Sequence, residues 1–329
     1  MSLSRRSLIR FGTTVPLLGL GLAACGTTEP AKDAPAASSS GGGPITVEDV
    51  KGKDVTLPKP ATKVVALEWS SVDDVLSVGG PLIGITDIKG YGEWAGKANP
   101  LPAGMKDVGL RTTPSIDAVA ALAPDLILGI DASIPDNALD QMGKIAPVLL
   151  LKGADATRPL DLMRQNHLVT GEVVGKKAQA EENLAAFDKH LDQVKAKLTP
   201  AADQPYLFIY PYVTGGQVTF RVHGNRSLPG AAANKAGLKN AWNEPGDDGW
   251  GLGTLDLEAL TKIPENTRIF YWADPTNDPV KNDLSKNAVW TSIPAVKRGD
   301  VHPVAQGLWI YGGPKPLSMF IDQLVGVYA

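Results

Sequence analysis

Apolar and polar positions along this chain follow two periods in turn. The runs Val64-Val65-Ala66-Leu67, Leu82-Ile83-Gly84-Ile85, Leu126-Ile127-Leu128 and Val148-Leu149-Leu150-Leu151 are almost continuously apolar, which suits strands covered on both faces. Helical spacing intervenes, around Val72 to Val78 and again at Ile116, Val119, Ala120 and Ala123. Gly79-Gly80-Pro81 and Pro124-Asp125 interrupt it before the next strand. A long helical region follows from about Leu160 to Leu198, broken near Gly171 to Gly175, with Leu184, Phe187, Leu191, Val194 and Leu198 in one stripe and Pro200 as its stop. A second alternating set comprises Leu207 to Tyr212, Val218 to Val222, a helix near Leu228 to Ala236, Ile269 to Trp272 and a terminal helix from about Leu317 to Val325. The predicted fold is therefore α/β, with two lobes built on mainly parallel central sheets and joined by a long bridging helix. Their boundaries fall at residues 45–158, 159–200 (the helical region) and 201–329, and a cleft between such lobes is the natural ligand site.

Ahead of the folded part the pattern is different. Ser4-Arg5-Arg6-Ser7-Leu8-Ile9-Arg10 precedes an uncharged, largely apolar stretch from Phe11 to Ala24, the layout of an export signal. The stretch falls short of the roughly 20 apolar residues a membrane span needs. The paired arginines resemble the twin-arginine type. Leu22-Ala23-Ala24-Cys25-Gly26 resembles a bacterial lipobox, and Cys25 is the only cysteine of the chain. The expectation is a signal peptide over 1–24, acylation at Cys25, and a Ser/Gly/Pro/Ala-rich tether over 25–44 that holds the protein on the extracytoplasmic side of the cell membrane.

Composition removes several functions. The formal charge is −3, so no positive field favours nucleic acid. One cysteine excludes a disulfide framework and thiolate clusters, and the four histidines are far apart. GxSxG, P-loop and GxGxxG signatures are missing. The positive signal is aromatic: Trp69, Tyr91, Trp94, Trp242, Trp250, Trp309 and Tyr311 fall in apparent loops or at strand ends, several beside glycine. Each could plug the end of a core; together around a cleft they suit a bulky, partly apolar ligand.

The ordered blocks Val64-Val65-Ala66-Leu67-Glu68-Trp69, Gly90-Tyr91 with Trp94, Asp107-Val108-Gly109-Leu110-Arg111-Thr112, Ile145-Ala146-Pro147, Asn240-Ala241-Trp242 with Gly249-Trp250-Gly251, and Trp309-Ile310-Tyr311-Gly312 resemble the ferric-hydroxamate-binding class of ABC-importer solute-binding proteins. The resemblance implies a class III periplasmic-binding-protein fold, a ferric hydroxamate siderophore of ferrioxamine or ferrichrome type as ligand, an ABC permease as partner, a monomer, and no enzymatic activity. A hexadentate chelate fills iron's coordination sphere, so no protein cofactor or metal ligand is required. Arg111 matches the arginine that grips the metal-bound oxygens, with Tyr91, Trp94, Trp242, Trp250, Trp309, Tyr311 and Trp69 packing on the ligand skeleton. Asp73 and Glu258 match acids that dock to permease arginines, with Asp74 and Asp256 as substitutes.

The chain departs from the pattern at Asp131-Ala132-Ser133-Ile134, where the class carries a cleft tyrosine; Asp131 would favour a cationic ferrioxamine. Arg221, His223 and Arg226 lie near a second-lobe loop and could line the cleft, while His167 reads as a packed residue. Haem, cobalamin, a catecholate or a carboxylate chelate remain alternative cargoes, and an exported enzyme or a redox subunit on a related fold an alternative class.

Overall fold

The computed structural model describes residues 43–131, 134–198, 204–274 and 276–328. The expected signal segment, Cys25 and the tether up to residue 42 lie outside them, as do Ala132, Ser133 and Pro200.

An antiparallel ribbon of Ile45–Glu48 (β1) and Asp54–Leu57 (β2) opens the fold. Then come Val64–Ala66 (β3), Trp69–Ser77 (α1), Leu82–Ile85 (β4), Ile88–Trp94 (α2) and Lys106–Asp107 (β5). A small hairpin of Gly109–Leu110 (β6) and Thr113–Pro114 (β7) precedes Ile116–Leu122 (α3), Leu126–Ile130 (β8), Asp136–Met142 (α4) and Val148–Leu151 (β9). The sheet order is β5-β4-β3-β8-β9, and all its pairings are parallel. Period-two alternation divides its side chains between two cores. Val64, Ala66, Leu126 and Leu128 enter one with α1, whereas Val65, Leu67 and Ile127 enter the other with Val119 and Met142. Near-continuous apolar strands were the sign of this double coverage.

Two helices lead from this half to the next: Pro159–Val173 (α5) and Lys177–Leu198 (α6). They meet at Gly175, whose φ of 69° is the left-handed turn the predicted break required. On α6 the stripe Leu184, Phe187, Leu191, Val194 and Leu198 is buried in a core with Phe208, Phe270 and Phe320. Each such leucine contributes about 1.5–3 kcal/mol by leaving water. The helix α5 gives Met163 to that core and Val173 to the core beneath β3, so it bridges the two halves.

The second half contains Tyr206–Thr214 (β10), Gln217–His223 (β11), Leu228–Lys235 (α7), Leu252–Leu255 (β12), Leu257–Leu260 (α8) and Arg268–Tyr271 (β13). A π-helical turn at Val280–Leu284 precedes Ala288–Ser292 (α9), Pro294–Arg298 (α10), Val301–Pro303 (β14) and Pro314–Val325 (α11). Its sheet, ordered β12-β11-β10-β13-β14, pairs β10, β13 and β14 in parallel. The strands β10, β11 and β12 are antiparallel. Gly215 and Gly216, both at positive φ, close β10 onto β11 in a two-residue turn, which removes any need for a helical crossover there.

The expected docking acid of α1 is not at the surface. Asp73 is fully buried, and its Oδ1 accepts from Asn99 Nδ2 at 2.8 Å and lies 3.2 Å from the Tyr91 hydroxyl oxygen. Its Oδ2 lies under Gly312, where an added Cβ would come within 2.2 Å. The substitute Asp74 is buried too, paired through Oδ1 with His167 Nδ1 at 2.7 Å. Local sequence showed two acids near a helix start; the chain's distant end, folding back at Gly312-Gly313, covers them. The same packing corrects Tyr91. Expected in the cleft, it is fully buried and donates to the Asn99 carbonyl at 2.8 Å.

Burial pushes the Asp73 carboxyl up to about 7, reinforced by neighbouring Asp74 and opposed by its hydrogen bond from Asn99. An acid whose proton is held more tightly in the folded chain stabilises the fold below its unfolded pKa and loses that stabilisation as pH rises through the folded value. Between about pH 4 and pH 7 the urea-unfolding free energy of the wild-type protein is therefore expected to fall relative to that of Asp73→Asn. Superimposable pH curves for the two proteins would contradict this account of Asp73.

Candidate functional site

Arg111 and Thr112 form the two-residue tip of the β6–β7 hairpin, whose register pairs Gly109 with Pro114 and Leu110 with Thr113. Gly109 has a φ of 98°, and a Cβ there would sit 2.8 Å from the Ser115 nitrogen, so glycine is needed for the hairpin to fold over. The tip delivers Arg111 to Glu68, the residue preceding α1. Arg111 Nε donates to Glu68 Oε2 at 3.0 Å, and Nη2 donates to both carboxylate oxygens at 2.7 Å. Glu68 is only 2% exposed. Burial drives its pKa upward, and the charge and hydrogen bonds of Arg111 pull it partly back. A fork–fork pair of this kind fixes the guanidinium plane.

Two indoles complete the clasp. The guanidinium carbon lies 4.3 Å from the Trp69 ring centre and 5.0 Å from that of Trp309, each such contact being worth about 0.5–2 kcal/mol. The two rings meet edge to face at 5.0 Å. Trp69 begins α1 in the first half, and Trp309 comes from the segment between β14 and α11 in the second. With Nε and Nη2 held by Glu68, Nη1 has no partner among the described residues.

Arg111 lines two adjoining cavities between the halves. One, of about 250 Å³, is walled by Glu68, Ser70, Thr112, Ile130, Gly153, Trp250, Trp309 and Tyr311. The other, of about 240 Å³, is walled by Trp69, Trp94, Tyr210, Arg221, His223, Trp272, Trp309 and Tyr311. Trp94 and Trp272 meet edge to face at 4.9 Å, as do Trp250 and Tyr311 at 5.1 Å. The Tyr311 hydroxyl is 2.8 Å from His223 Nε2. Burial, with the nearby Arg221 charge, lowers His223 to about 3 and keeps it neutral.

The loop carrying Trp250 is organised by Asp247. Its carboxylate accepts from the backbone N–H groups of Gly249, Trp250 and Leu252 at 2.9, 2.7 and 2.9 Å. Gly251, at a φ of 66°, passes so close to Arg226 that a Cβ would lie 2.4 Å from that residue's carbonyl carbon. Arg226 itself does not face the two cavities. It spans the halves, donating through Nε to the Ala156 carbonyl at 3.1 Å and pairing with Asp248 at 3.2 Å.

Of the expected ligand-facing residues, Arg111, Trp69, Trp94, Trp250, Trp309 and Tyr311 come together in the cleft. Trp242 does not reach it. Its ring lies against Gly224 and Gly253, where any Cβ would come within 2.4 and 2.3 Å, so it covers the edge of the second sheet. Asp131 is exposed and its Oδ1 accepts from the Gly153 N–H at 3.0 Å. Arg221 and His223, left unassigned from the sequence, do line the cleft. Glu68, Tyr210 and Trp272 were missed. The last two were read as ordinary strand residues; their places at or just past the ends of parallel strands, where α/β sheets bind ligands, were the available signal.

Comparison with known proteins agrees with this architecture. Residues 64–303 match the model of a family described as periplasmic binding protein. The chain is 24% identical over 313 residues to a probable siderophore-binding lipoprotein, YfiY, of Bacillus subtilis, covering 92% of each chain. It is 24% identical over 262 residues to the iron(3+)-hydroxamate-binding protein FhuD of Escherichia coli, covering 80% of this chain and 85% of that one. Among solved structures, the siderophore binding protein FhuD of Vibrio cholerae, bound to Fe3+-Desferal, superimposes with a TM-score of 0.70 at 24% identity, over 80% of this chain and 97% of that one. The two sheets, the bridging helices and the match across most of the folded part place this chain in the periplasmic binding protein family, a family of binding proteins and not of enzymes.

Proposed function

We propose that this protein is the solute-binding component of an ABC importer and that its cleft takes a ferric hydroxamate siderophore. The observation that carries the reading is Arg111, held by Glu68 and flanked by Trp69 and Trp309, which lines the aromatic cleft with Nη1 unpartnered among the described residues. Such a donor suits the partly negative metal-bound oxygens of a chelate, while the indole and phenol faces suit its apolar skeleton. The chelate brings its own iron ligands, so the cleft recognises only its outer surface. The similarity to YfiY and FhuD, whose names refer to siderophores and to iron hydroxamates, supports the same reading.

Delivery requires docking and a membrane. Glu258 is exposed on α8, and with Asp256 and Asp283 it borders a surface groove of about 500 Å³, a surface suited to permease arginines. We keep Glu258 as the docking residue of the second half and withdraw Asp73 from the first. No described helix is long and apolar enough to cross a membrane, and attachment is assigned to acylated Cys25. Cys25→Ser is expected to move the protein from the membrane to the soluble fraction with ligand binding intact; continued membrane retention would remove the lipobox assignment.

Five of the cleft-lining residues are tryptophans, so a ferric tris-hydroxamate should quench emission saturably with a dissociation constant in the low micromolar range or tighter, about −8 kcal/mol. The iron-free ligand should bind more weakly because its oxygens are not pre-organised. Arg111→Ala should cost about 1.5–3 kcal/mol of affinity. Absence of quenching by any hydroxamate, beside clear binding of haem or a catecholate, would reassign the cargo.

A further inference from the structure

The charged groups that line the two cleft cavities do not cancel. Glu68 and Arg111 neutralise one another within their clasp. Tyr210 and Tyr311 are held protonated by burial, and His223 is neutral. Arg221 is left over. It stands on β11, opposite Tyr210 on one neighbouring strand and Thr254 on the other. Its guanidinium carbon lies 5.8 and 6.0 Å from the ring centres of Tyr210 and Tyr212. It is exposed, and among the described residues it forms no ion pair and no hydrogen bond.

The acids of the second-half loops are engaged elsewhere. Asp247 holds three backbone amides, Asp248 pairs with Arg226, and Asp274 caps the turn at Thr276 and Asn277. Asp274 and Asp247 keep their charges, which act on Tyr210 and Tyr311 against that of Arg221. Neither acid lines the two cavities. On the wall facing Arg111, Arg221 is the charged lining residue without an ion-pair partner among the described residues. Its field reaches into the cleft, where it acts on both His223 and Tyr311.

We propose that Arg221 is a specificity-determining residue, selecting iron chelates whose periphery bears an anionic group over neutral or cationic chelates with the same metal centre. The inference rests on the function proposed above and divides its labour. Arg111 reads the metal-bound oxygens that all such ligands share, whereas Arg221 reads the charge of what hangs from them. It reverses the preference for a cationic ferrioxamine that Asp131 suggested, since Asp131 lines neither of these cavities.

Ferrioxamine B and its N-acetyl and N-succinyl derivatives share one iron core and carry cationic, neutral and anionic tails, so they isolate this effect. In fluorescence titrations at low salt, wild-type affinity should rise about three- to tenfold at each step from cationic to neutral to anionic, the size of a partly screened contact between unit charges. Arg221→Ala should bring the three affinities together, Arg221→Lys should preserve the ranking, and Arg221→Glu should invert it, with thermal melts showing each variant folded. Equal wild-type affinities, or a ranking that survives in Arg221→Ala, overturns the inference alone. Failure of all three ligands to bind the folded wild-type protein sinks the hydroxamate reading and this inference with it.

Discussion

The ion pair between Glu68 and Arg111 is the constraint on which the rest of the cleft depends. Taking a carboxylate and a guanidinium out of water is costly, and a buried pair recovers that cost only when its geometry is good and its remaining polar atoms are served. Here three hydrogen bonds of 2.7–3.0 Å join the groups, and two indoles flank the guanidinium. Loss of Arg111 strands the buried Glu68 carboxylate, an effect of up to about 3–5 kcal/mol, whereas Arg111 itself is part-exposed. The pair also joins three segments distant in sequence: the start of α1, the β6–β7 tip and the Trp309 loop. Only the Trp309 contact crosses between the halves, since Glu68 and Arg111 both belong to the first.

Stiffness behind this surface comes from the ties between the halves. The helix α5 serves both cores, Arg226 holds Ala156 across the gap, and His167 of α5 grips Asp74 of α1. The neutral His223 and its contact with Tyr311 fix one wall without adding charge. A cleft held in this way is formed before its ligand arrives, which lowers the ordering cost of binding.

Much of the fold was legible because burial on both sheet faces leaves a one-dimensional trace. Continuous apolar strands, the α6 stripe and the break at Gly175 each obey a local rule. The β10–β11 hairpin was less visible, since the pattern of that set was read only as a mainly parallel sheet, with no orientation given to these two strands, and the Gly215-Gly216 turn makes them antiparallel. At the site, tryptophans beside glycine pointed to the cleft for Trp250 and Trp309 but failed for Trp242, whose neighbouring glycines make room for its ring instead. Tyr91 and Asp73 failed together, because one segment from the far end of the chain buries both. Glu68 stood in a block of the resemblance but was given no role: an acid in an apolar run acquires meaning only when a cation arrives from elsewhere, and that contact is tertiary.

The central claim is that an intact iron chelate is gripped from outside by an arginine which stays bound to Glu68. A crystal structure of the protein with a ferric tris-hydroxamate tests it most directly. The account predicts chelate density between Trp309, Trp250 and Tyr311, iron coordinated by hydroxamate oxygens alone, Arg111 Nη1 within hydrogen-bond distance of those oxygens, and the Glu68 clasp unbroken. Iron bound to a protein side chain, or an Arg111 that abandons Glu68 or points away from the chelate, would contradict it.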